Sequence, residues 1–247
     1  MVPPNQLAMT DQNNKLLKLV NISDGKMTGR AKFCTPPKFP TLLPQDRLAV
    51  LLLQESIIKV FSIHDGFKEE NVIRLNGKCV SIMFENDVFF AVFRSPAVVK
   101  KVNMKGEELK TIALESHIQD VDNNPIYTAL CPDKSSFYLC DWKNNLPLRV
   151  DMKGHTLAMY EKNGLNDPHG ILAMSDGSVY VCNKNNHTVL QMRGDFTRSR
   201  VVLGPSDNVQ FPAAICYRPE RNILFVSSAS ADSNHSFKLK MFSLENC

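Results

Sequence analysis

The strongest constraint on the fold of this chain is a repeat that recurs about every 43 residues. Residues 7–22 align without gaps with residues 48–63, and a second shift of 41 positions reaches residues 89–104. Three more copies follow after spacings of 48, 42 and 45 residues. A period between about 20 and 50 residues is typical of chains built from stacked or radially arranged units. The equivalent positions in the six copies are Asp11, Leu52, Phe93, Asp141, Asn183 and Ser228.

Each copy is predicted to have room for four short β-strands. Runs rich in Val, Ile, Leu and Phe alternate with turn residues, and the periodicity of an amphipathic helix is missing. Six four-stranded units of this length predict an all-β, six-bladed β-propeller with antiparallel blades. In the fifth copy the predicted strands are 168–175, 178–183, 188–193 and 200–203. We expect one domain, residues 1–247, with blades at approximately 6–33, 40–78, 79–114, 126–162, 167–204 and 211–247.

The first and last copies are predicted to be incomplete blades. The first copy begins at its second strand, and the last copy ends after its third, at residues 237–244. A closed ring with these spacings needs roughly 13 more residues, about the length of two short strands. We therefore expect that the chain was cut from a longer protein, whose preceding residues supply the outer strand of the last blade and the inner strand of the first. A chain extended in this way is expected to be more stable or less prone to associate.

The fifth copy carries the most informative motif. Residues 167–192 contain Pro-His-Gly at 168–170, a Ser-Asp-Gly turn at 175–177, and an apolar strand that ends in Asn183, with Asn186 three residues later. This pattern resembles an NHL repeat. The side chains of Asn183 and Asn186 are expected to fold onto the following backbone, as in Asx-turns, and so to fix the next chain reversal.

The same spacing recurs in the first and fourth copies, at Asp11 with Asn14 and at Asp141 with Asn144, whereas the other copies have lost it. Units that keep this spacing, beside degenerate ones and with few glycines, resemble the C-terminal propeller of animal TRIM-type proteins.

That resemblance implies a role in recognition. In the TRIM-type family the propeller follows a RING finger, B-boxes and a coiled coil, and it selects RNA or protein partners for ubiquitin ligation. The present sequence has neither the Cys/His spacing of a zinc site nor a heptad run. We therefore expect a non-catalytic recognition platform, with oligomerisation of the parent protein through an upstream coiled coil.

The candidate ligand face is formed by connections between strands. In a propeller, the connections from second to third strand and from fourth strand to the next blade emerge on one face. Lysines and a tryptophan on one rim would suit phosphate contacts and stacking, while the alternative is that they form exposed turns and that the tryptophan packs on the next blade. The candidate residues are Asn13, Asn14, Lys15, Arg94, Trp142, Lys143, Asn144, Asn145, His169, Lys184, Asn185, Asn186 and His187.

An enzymatic alternative rests on the inner strands. His169 begins such a strand and could reach a central channel, where similar-looking lactonase- or lyase-type propellers hold a metal through several carboxylate, amide or imidazole ligands. The predicted inner strands 80–84, 126–130 and 213–217 offer almost none of these ligands. We expect no catalytic residue, metal or cofactor.

Charge and cysteine usage bear on partner and compartment. The net charge of +4 is compatible with an RNA partner and with a protein partner, so the sequence does not separate them. The sequence contains no apolar run long enough to span a membrane and no secretory signal at its start. The seven cysteines form no Cys-x-x-Cys pair, and most lie in apolar stretches, as expected of buried free thiols. We therefore expect a cytoplasmic protein without membrane contact.

Overall fold

The chain folds into short antiparallel β-sheets. The computed structural model describes residues 5–64, 66–118, 127–142, 144–161, 164–228 and 238–244. The 22 described strands form six sheets that follow one another along the chain. Four sheets have four strands, the first and last have three, and the architecture is that of a six-bladed β-propeller. The predicted fold class is confirmed, including the shortened first and last blades.

The first of two compact units, Met1–Ile112, contains blades 1 to 3 except for Ala113, the last residue of blade 3. Blade 1 comprises strands β1 to β3, at Gln6–Asp11, Leu16–Asn21 and Met27–Lys32. Blade 2 comprises β4 to β7, at Pro37–Leu43, Arg47–Leu52, Ile57–Ser62 and Lys68–Arg74. Blade 3 comprises β8 to β11, at Cys79–Glu85, Val88–Arg94, Ala97–Asn103 and Glu108–Ala113.

The second unit, Ala113–Cys247, contains blades 4 to 6. Blade 4 comprises β12 to β15, at Tyr127–Leu130, Ser136–Asp141, Leu146–Asp151 and Thr156–Met159. Blade 5 comprises β16 to β19, at Pro168–Ala173, Ser178–Asn183, Thr188–Arg193 and Ser199–Leu203. Blade 6 comprises β20 to β22, at Pro212–Arg218, Ile223–Ser228 and Lys238–Ser243. Short 3-10 turns occur at Ser116–Ile118, Lys184–Asn186, Pro205–Asp207 and Pro219–Arg221.

Bulges near the start of the first strand recur in several blades. In blade 2 the register shifts between Lys38 and Thr41, and Phe39 between them has a left-handed φ of 50°. Pairing resumes at Pro37, opposite Leu52, so this blade begins three residues before the position expected from the sequence. A bulge lets a strand bend while it stays paired. Strand bounds that are estimated from hydrophobic runs leave out the paired residues beyond a bulge. Similar shifts lie after Cys79, Pro168 and Pro212.

Within the first unit, the second strand of blade 2 is buried on both faces. Leu48 and Val50 pack against Leu17 of blade 1. Ala49 and Leu51, which point to the opposite side, belong to a cluster shared with blade 3. Alternate side chains of a strand face opposite sides of a sheet. The near-continuous apolar run therefore follows from packing between neighbouring blades on both sides.

The second unit repeats this arrangement around blade 5. Val179 and Val181 pack in a cluster with residues of blade 4. Tyr180 and Cys182 pack with Leu224 and other residues of blade 6. The residue that ends the second strand is buried even where it is polar, with Asp141 5%, Asn183 2% and Ser228 6% exposed.

Six cysteines within the described residues are free thiols. Cys79, Cys131, Cys140 and Cys182 are buried, whereas Cys34 and Cys216 are exposed. Burial raises the pKa of the Cys79 thiol to about 12, so this side chain remains protonated at neutral pH. The described part of the chain also has no helix of the length and apolar character that a membrane crossing requires.

The first strands of blades 5 and 6 approach closely at Gly170. A Cβ atom at this position would lie 2.9 Å from Ala214 Cα and 3.0 Å from Ala213 O, which are both backbone atoms. We predict that Gly170→Ala lowers the free energy of unfolding by about 2–3 kcal/mol, because the two strands must move apart. The control is Gly204→Ala, whose added methyl group would meet only Thr188 Cγ2 at 3.9 Å. Urea denaturation of both variants measures the difference, and equal stabilities would contradict this packing.

Candidate functional site

In two blades, the turn that follows the second strand is organised by the aspartate at the end of that strand. In blade 1, Asp11 accepts hydrogen bonds from the backbone N–H and side-chain amide of Asn14, at 3.0 and 2.8 Å. In blade 4, Asp141 accepts the same two bonds from Asn144, at 3.1 and 2.9 Å. The buried carboxylates thus satisfy the polar groups of the turns that follow them. The Asx-turns expected from the spacing occur in both blades.

The candidate residues of the first unit lie in the connections after β1 and β9. Asn13, Asn14 and Lys15 are exposed, and Lys15 has a left-handed φ of 55°. Arg94 ends β9, and its side chain is outside what the structure describes. A common rim with the candidates of the second unit stays a prediction.

The turn after the second strand of blade 5 differs from the expected one. Asn183 Oδ1 accepts the backbone N–H of Asn166 at 2.7 Å, and the Asn183 amide donates to Gly164 O at 2.8 Å. The Asn186 amide donates to the same carbonyl at 2.8 Å. The prediction that these side chains fold onto the following backbone is therefore wrong, because both reach back to the connection before the blade. An amide both donates and accepts, so Asn183 can satisfy an N–H and a carbonyl that an aspartate could not satisfy together.

These hydrogen bonds hold the connection before blade 5, which places Asp167 and His169 beside the first strand of blade 4. Asp167 has a left-handed φ of 57°, and its N–H donates to Asn145 Oδ1 at 2.7 Å. His169 Nε2 lies 2.8 Å from Asp167 Oδ1, and His169 Nδ1 lies 2.9 Å from the hydroxyl of Tyr127. The Tyr127 and His169 rings lie against each other with centroids 4.7 Å apart. These contacts link consecutive blades through polar side chains.

Lys184 completes this group, which we call the Asp167 cluster (Tyr127, Asp167, His169 and Lys184). Its ammonium group donates to Asp167 Oδ2 at 2.8 Å and lies 3.5 Å from His169 Nε2. The Asp167 and His169 side chains are each 16% exposed. Burial alone would raise the pKa of the Asp167 carboxyl, but the hydrogen bond from Lys184 and the charges of His169 and Lys184 together lower it. Asp167 is therefore a stable anion that neutralises Lys184.

The hydrogen bonds of His169 fix the orientation of its ring. Burial, and to a smaller extent Cys140, Asp167 and Cys182, raises the pKa of the Tyr127 phenol, so the hydroxyl stays protonated. The phenol oxygen lies within hydrogen-bond distance of Nδ1, and the Asp167 carboxylate lies within hydrogen-bond distance of Nε2. Both ring nitrogens of His169 are engaged, and the ring is held in one orientation. This geometry suits a rigid polar surface rather than an activated nucleophile.

The other candidates of the second unit divide into exposed and internal residues. Asn144 and Asn185 are exposed, and the Asn185 amide also donates to Asn166 Oδ1 at 3.3 Å. Trp142 is half-buried, and Lys143 lies outside the described residues. His187 has a structural contact instead: its Nδ1 accepts the N–H of Phe211 at 3.1 Å, and the two rings meet edge to face at 4.2 Å.

Sequence reasoning missed Tyr127 and the pairing role of Asp167. Tyr127 and His169 are separated by 42 residues, which is one repeat, so they occupy matching places in consecutive blades. That offset could have pointed to their contact, since matching positions of neighbouring blades lie side by side. Among the residues that the structure describes, no three His, Cys, Asp or Glu side chains are placed to hold a metal ion.

The ion pair between Asp167 and Lys184 makes the free energy of unfolding depend on pH in a defined direction. Because folding lowers the pKa of this carboxyl, its contribution is present above the unfolded value, near 4, and is lost as the pH falls through the folded value. We predict that Asp167→Asn costs about 1–2 kcal/mol at pH 7 and progressively less below pH 4. The control, Asp176→Asn in the exposed turn before β17, should cost less than about 0.5 kcal/mol at pH 7. Urea denaturation across the pH range tests this, and a cost of Asp167→Asn that is independent of pH would contradict the assignment.

Comparison with known proteins places this site in a recognised repeat. The model of the NHL repeat matches residues 165–192, which include Asp167, His169 and Lys184. A protein of unknown function from Bacteroides caccae has a similar structure, with a TM-score of 0.77 at 15% identity over 98% of this chain and 91% of that chain. Hydrazine synthase of Kuenenia stuttgartiensis is similar with a TM-score of 0.64 at 13% identity, over 90% of this chain and 70% of that chain. No curated protein matches the chain in sequence. The chain therefore contains an NHL repeat and shares its fold with these two structures.

Proposed function

We propose that this chain is a protein-recognition platform that binds extended peptide segments of its partners. The binding surface, here called the 4/5 surface, consists of Trp142, Asn144, Asn145, Asp167, Lys184 and Asn185. The observation that carries the proposal is the pairing of Lys184 with Asp167 at 2.8 Å, which neutralises the one cation among the six residues of this surface. The described residues of the 4/5 surface are thus polar, with one paired charge of each sign.

The charge distribution favours a protein over RNA as the ligand. Binding to nucleic acid depends on cations that neutralise phosphates, and the affinity falls when those cations are already paired. Lys184 is paired with Asp167, and the buried carboxylate of Asp141 ends the strand that precedes Trp142. Surfaces that bind proteins commonly combine an aromatic side chain with polar groups of both signs. Trp142 and the surrounding amides have this composition.

The 4/5 surface is also preorganised for binding. Asn144 is held by Asp141, and Asn145 is held by the backbone of Asp167. Asn185 forms a backbone bond to Asn166 O at 3.1 Å, so the two connections are joined. A ligand that meets fixed amides loses less conformational entropy on binding than one that must order flexible loops. The exposed amide groups can pair with the backbone of an extended peptide.

We further propose that the parent protein is a TRIM-type ubiquitin ligase of the cytoplasm, for which this chain selects the substrate. Support comes from the NHL repeat at residues 165–192 and from the low glycine content and degenerate copies of the other blades. The free thiols of the described cysteines are typical of a reducing compartment. A RING-type set of zinc ligands in the full-length transcript would support this assignment, and a transcript without one would refute it.

The binding test compares peptides with RNA on the same purified chain. Linear peptides selected by phage display on the full chain and single-stranded homopolymeric RNAs are titrated against the parent chain, Asn185→Ala and Asn185→Lys. For a peptide ligand, we expect both substitutions to weaken binding by about fivefold or more, a typical loss for one interface contact. For an RNA ligand, Asn185→Lys would instead strengthen binding and steepen its salt dependence.

Asp195→Asn is the matched control, because Asp195 lies in the exposed turn after β18, at the opposite end of the same blade. It should leave peptide affinity unchanged. Melting temperatures of all variants establish that each is folded. Stronger RNA binding by Asn185→Lys, or peptide binding that only the control weakens, would refute the 4/5 surface as a peptide site.

A further inference from the structure

A cleft of about 320 Å³ lies between blades 4 and 5, at the end of blade 5 opposite to the 4/5 surface. It is lined by Arg149 of blade 4 and by two turns of blade 5, at residues 176–178 and 193–195. Its volume is close to the lower limit of pockets that bind small molecules, about 300 Å³. The cleft therefore suits a small ligand, and it shares no residue with the 4/5 surface.

Hydrogen bonds and aromatic packing fix the walls of this cleft. The Gly194 N–H donates to Gly177 O at 3.0 Å, and the Tyr138 hydroxyl of blade 4 donates to Gly194 O at 3.2 Å. A Cβ atom at Gly194 would lie 2.6 Å from the Tyr138 hydroxyl oxygen, so this close approach requires glycine. Phe196, which is buried, meets the Tyr138 ring edge to face with centroids 5.7 Å apart. A cleft with walls held in this way needs little reorganisation to bind a ligand.

Arg149 contributes a half-buried cation with unused hydrogen-bond donors. Its side chain is 25% exposed, its guanidinium carbon lies 5.8 Å from the centroid of the Tyr138 ring, and its Nε–H donates to Ser136 Oγ at 2.9 Å. The Asp133 carboxylate lies 3.7 Å from Nη2, which is longer than a hydrogen bond. Within the described residues, the terminal nitrogens of Arg149 donate no hydrogen bond. This edge of a guanidinium group binds a carboxylate through two parallel hydrogen bonds.

Asp176 contributes an exposed anion that is oriented through one of its two oxygens. Oδ1 accepts the N–H and the hydroxyl of Ser178, at 2.9 and 2.7 Å. Oδ2 accepts no hydrogen bond from the part of the chain that the structure describes. A carboxylate oxygen of this kind can accept hydrogen bonds from an ammonium group. Asp176 thus complements Arg149, since it offers an acceptor where Arg149 offers donors.

The remaining charges of the cleft compensate each other. Arg193 Nη2 lies 3.7 Å from Asp195 Oδ2, and Asp195 Oδ1 accepts the N–H and the hydroxyl of Thr197. The lining as a whole carries two guanidinium groups and two carboxylates. A phosphate ester, which carries nearly two negative charges at neutral pH, would be repelled by both carboxylates. A ligand with one charge of each sign matches this lining better.

We propose that this cleft binds a free α-amino acid, whose carboxylate lies on the guanidinium edge of Arg149 and whose ammonium group lies on Asp176. An α-amino acid carries both groups on one carbon atom, so it can engage both residues within a small volume. This site is separate from the 4/5 surface, and its existence does not depend on peptide binding there.

An NMR titration of the full chain with each of the standard amino acids tests the proposal. We expect at least one of them to bind saturably with a Kd of about 1 mM or tighter, and to shift the backbone amide signals of residues 176–178 and 193–195. The signals of residues 144–145 and 184–187 on the 4/5 surface should remain unchanged. Blocking either charge of the bound amino acid, in its N-acetyl derivative or its amide, should weaken binding about tenfold or more.

Substitutions identify which residue holds which group of the ligand. Asp176→Asn should weaken binding of the free amino acid about tenfold and abolish its advantage over the N-acetyl derivative, because the ammonium group loses its partner. Arg149→Gln should likewise abolish the advantage of the free amino acid over its amide. Arg149→Lys keeps the charge but not the two parallel hydrogen bonds, and it should give an intermediate loss. Melting temperatures establish that each variant is folded.

Matching positions of blade 3 supply the controls. Lys101→Gln is the control for Arg149→Gln, because Lys101 lies over the Phe90 ring at 4.8 Å. Asp87→Asn is the control for Asp176→Asn, since Asp87 lies in the turn between the first two strands of its blade. Both control variants should leave the affinity unchanged.

The absence of saturable binding by every free amino acid would refute the proposal. Equal binding of a free amino acid and its N-acetyl derivative would assign the cleft to the C-terminus of a peptide and would also overturn it. So would tighter binding of inorganic phosphate than of any amino acid, or signal shifts confined to the 4/5 surface.

Discussion

The structure depends on the burial of second strands by neighbouring blades, which is complete on both faces in blades 2 and 5. A sheet of three or four short strands cannot bury its own faces, so each blade is stable only against the blades beside it. In blade 5, Val181 packs towards blade 4 and Cys182 towards blade 6, and both are fully buried. Burial of this kind contributes roughly 1.5–3 kcal/mol for each large apolar side chain. The spacing of the repeat is the length of chain needed to present one such strand per blade.

The same burial creates the chemistry of the candidate site. Each second strand must leave the core through a turn whose polar groups lie near apolar surroundings, where an unsatisfied hydrogen bond is costly. Blades 1 and 4 meet this requirement with an aspartate that bonds to its own turn. Blade 5 meets it with Asn183, which bonds to the preceding connection and draws Asp167 towards Lys184. The mixed charge of the 4/5 surface thus results from the way in which the polar groups at the end of one strand are hydrogen-bonded.

Sequence reasoning was accurate where the signal is local and periodic. The alternation of residues 178–183 and 188–193 predicted two strands with the bounds that the structure has. The prediction failed at Asn183. An amide side chain can hydrogen-bond to the backbone after it or before it in the chain, and the position of the neighbouring connection decides between the two. Sequence reasoning also treated Lys184 as a free cation. Its partner Asp167 lies well before it in the chain, and the two side chains come together only after folding. Contacts between blades, such as that of Tyr127 with His169, can be predicted only if residues that are one repeat apart are expected to lie close together in space.

The proposed binding site for a partner peptide is the 4/5 surface. The most direct measurement is amide hydrogen exchange of the full chain with and without a selected peptide, read at single-residue resolution. We expect slower exchange at residues 144–145 and 184–187, with little change in the turns at 175–177 and 194–198 at the opposite end of blade 5. Slower exchange confined to those opposite turns, with residues 144–145 and 184–187 unaffected, would contradict it.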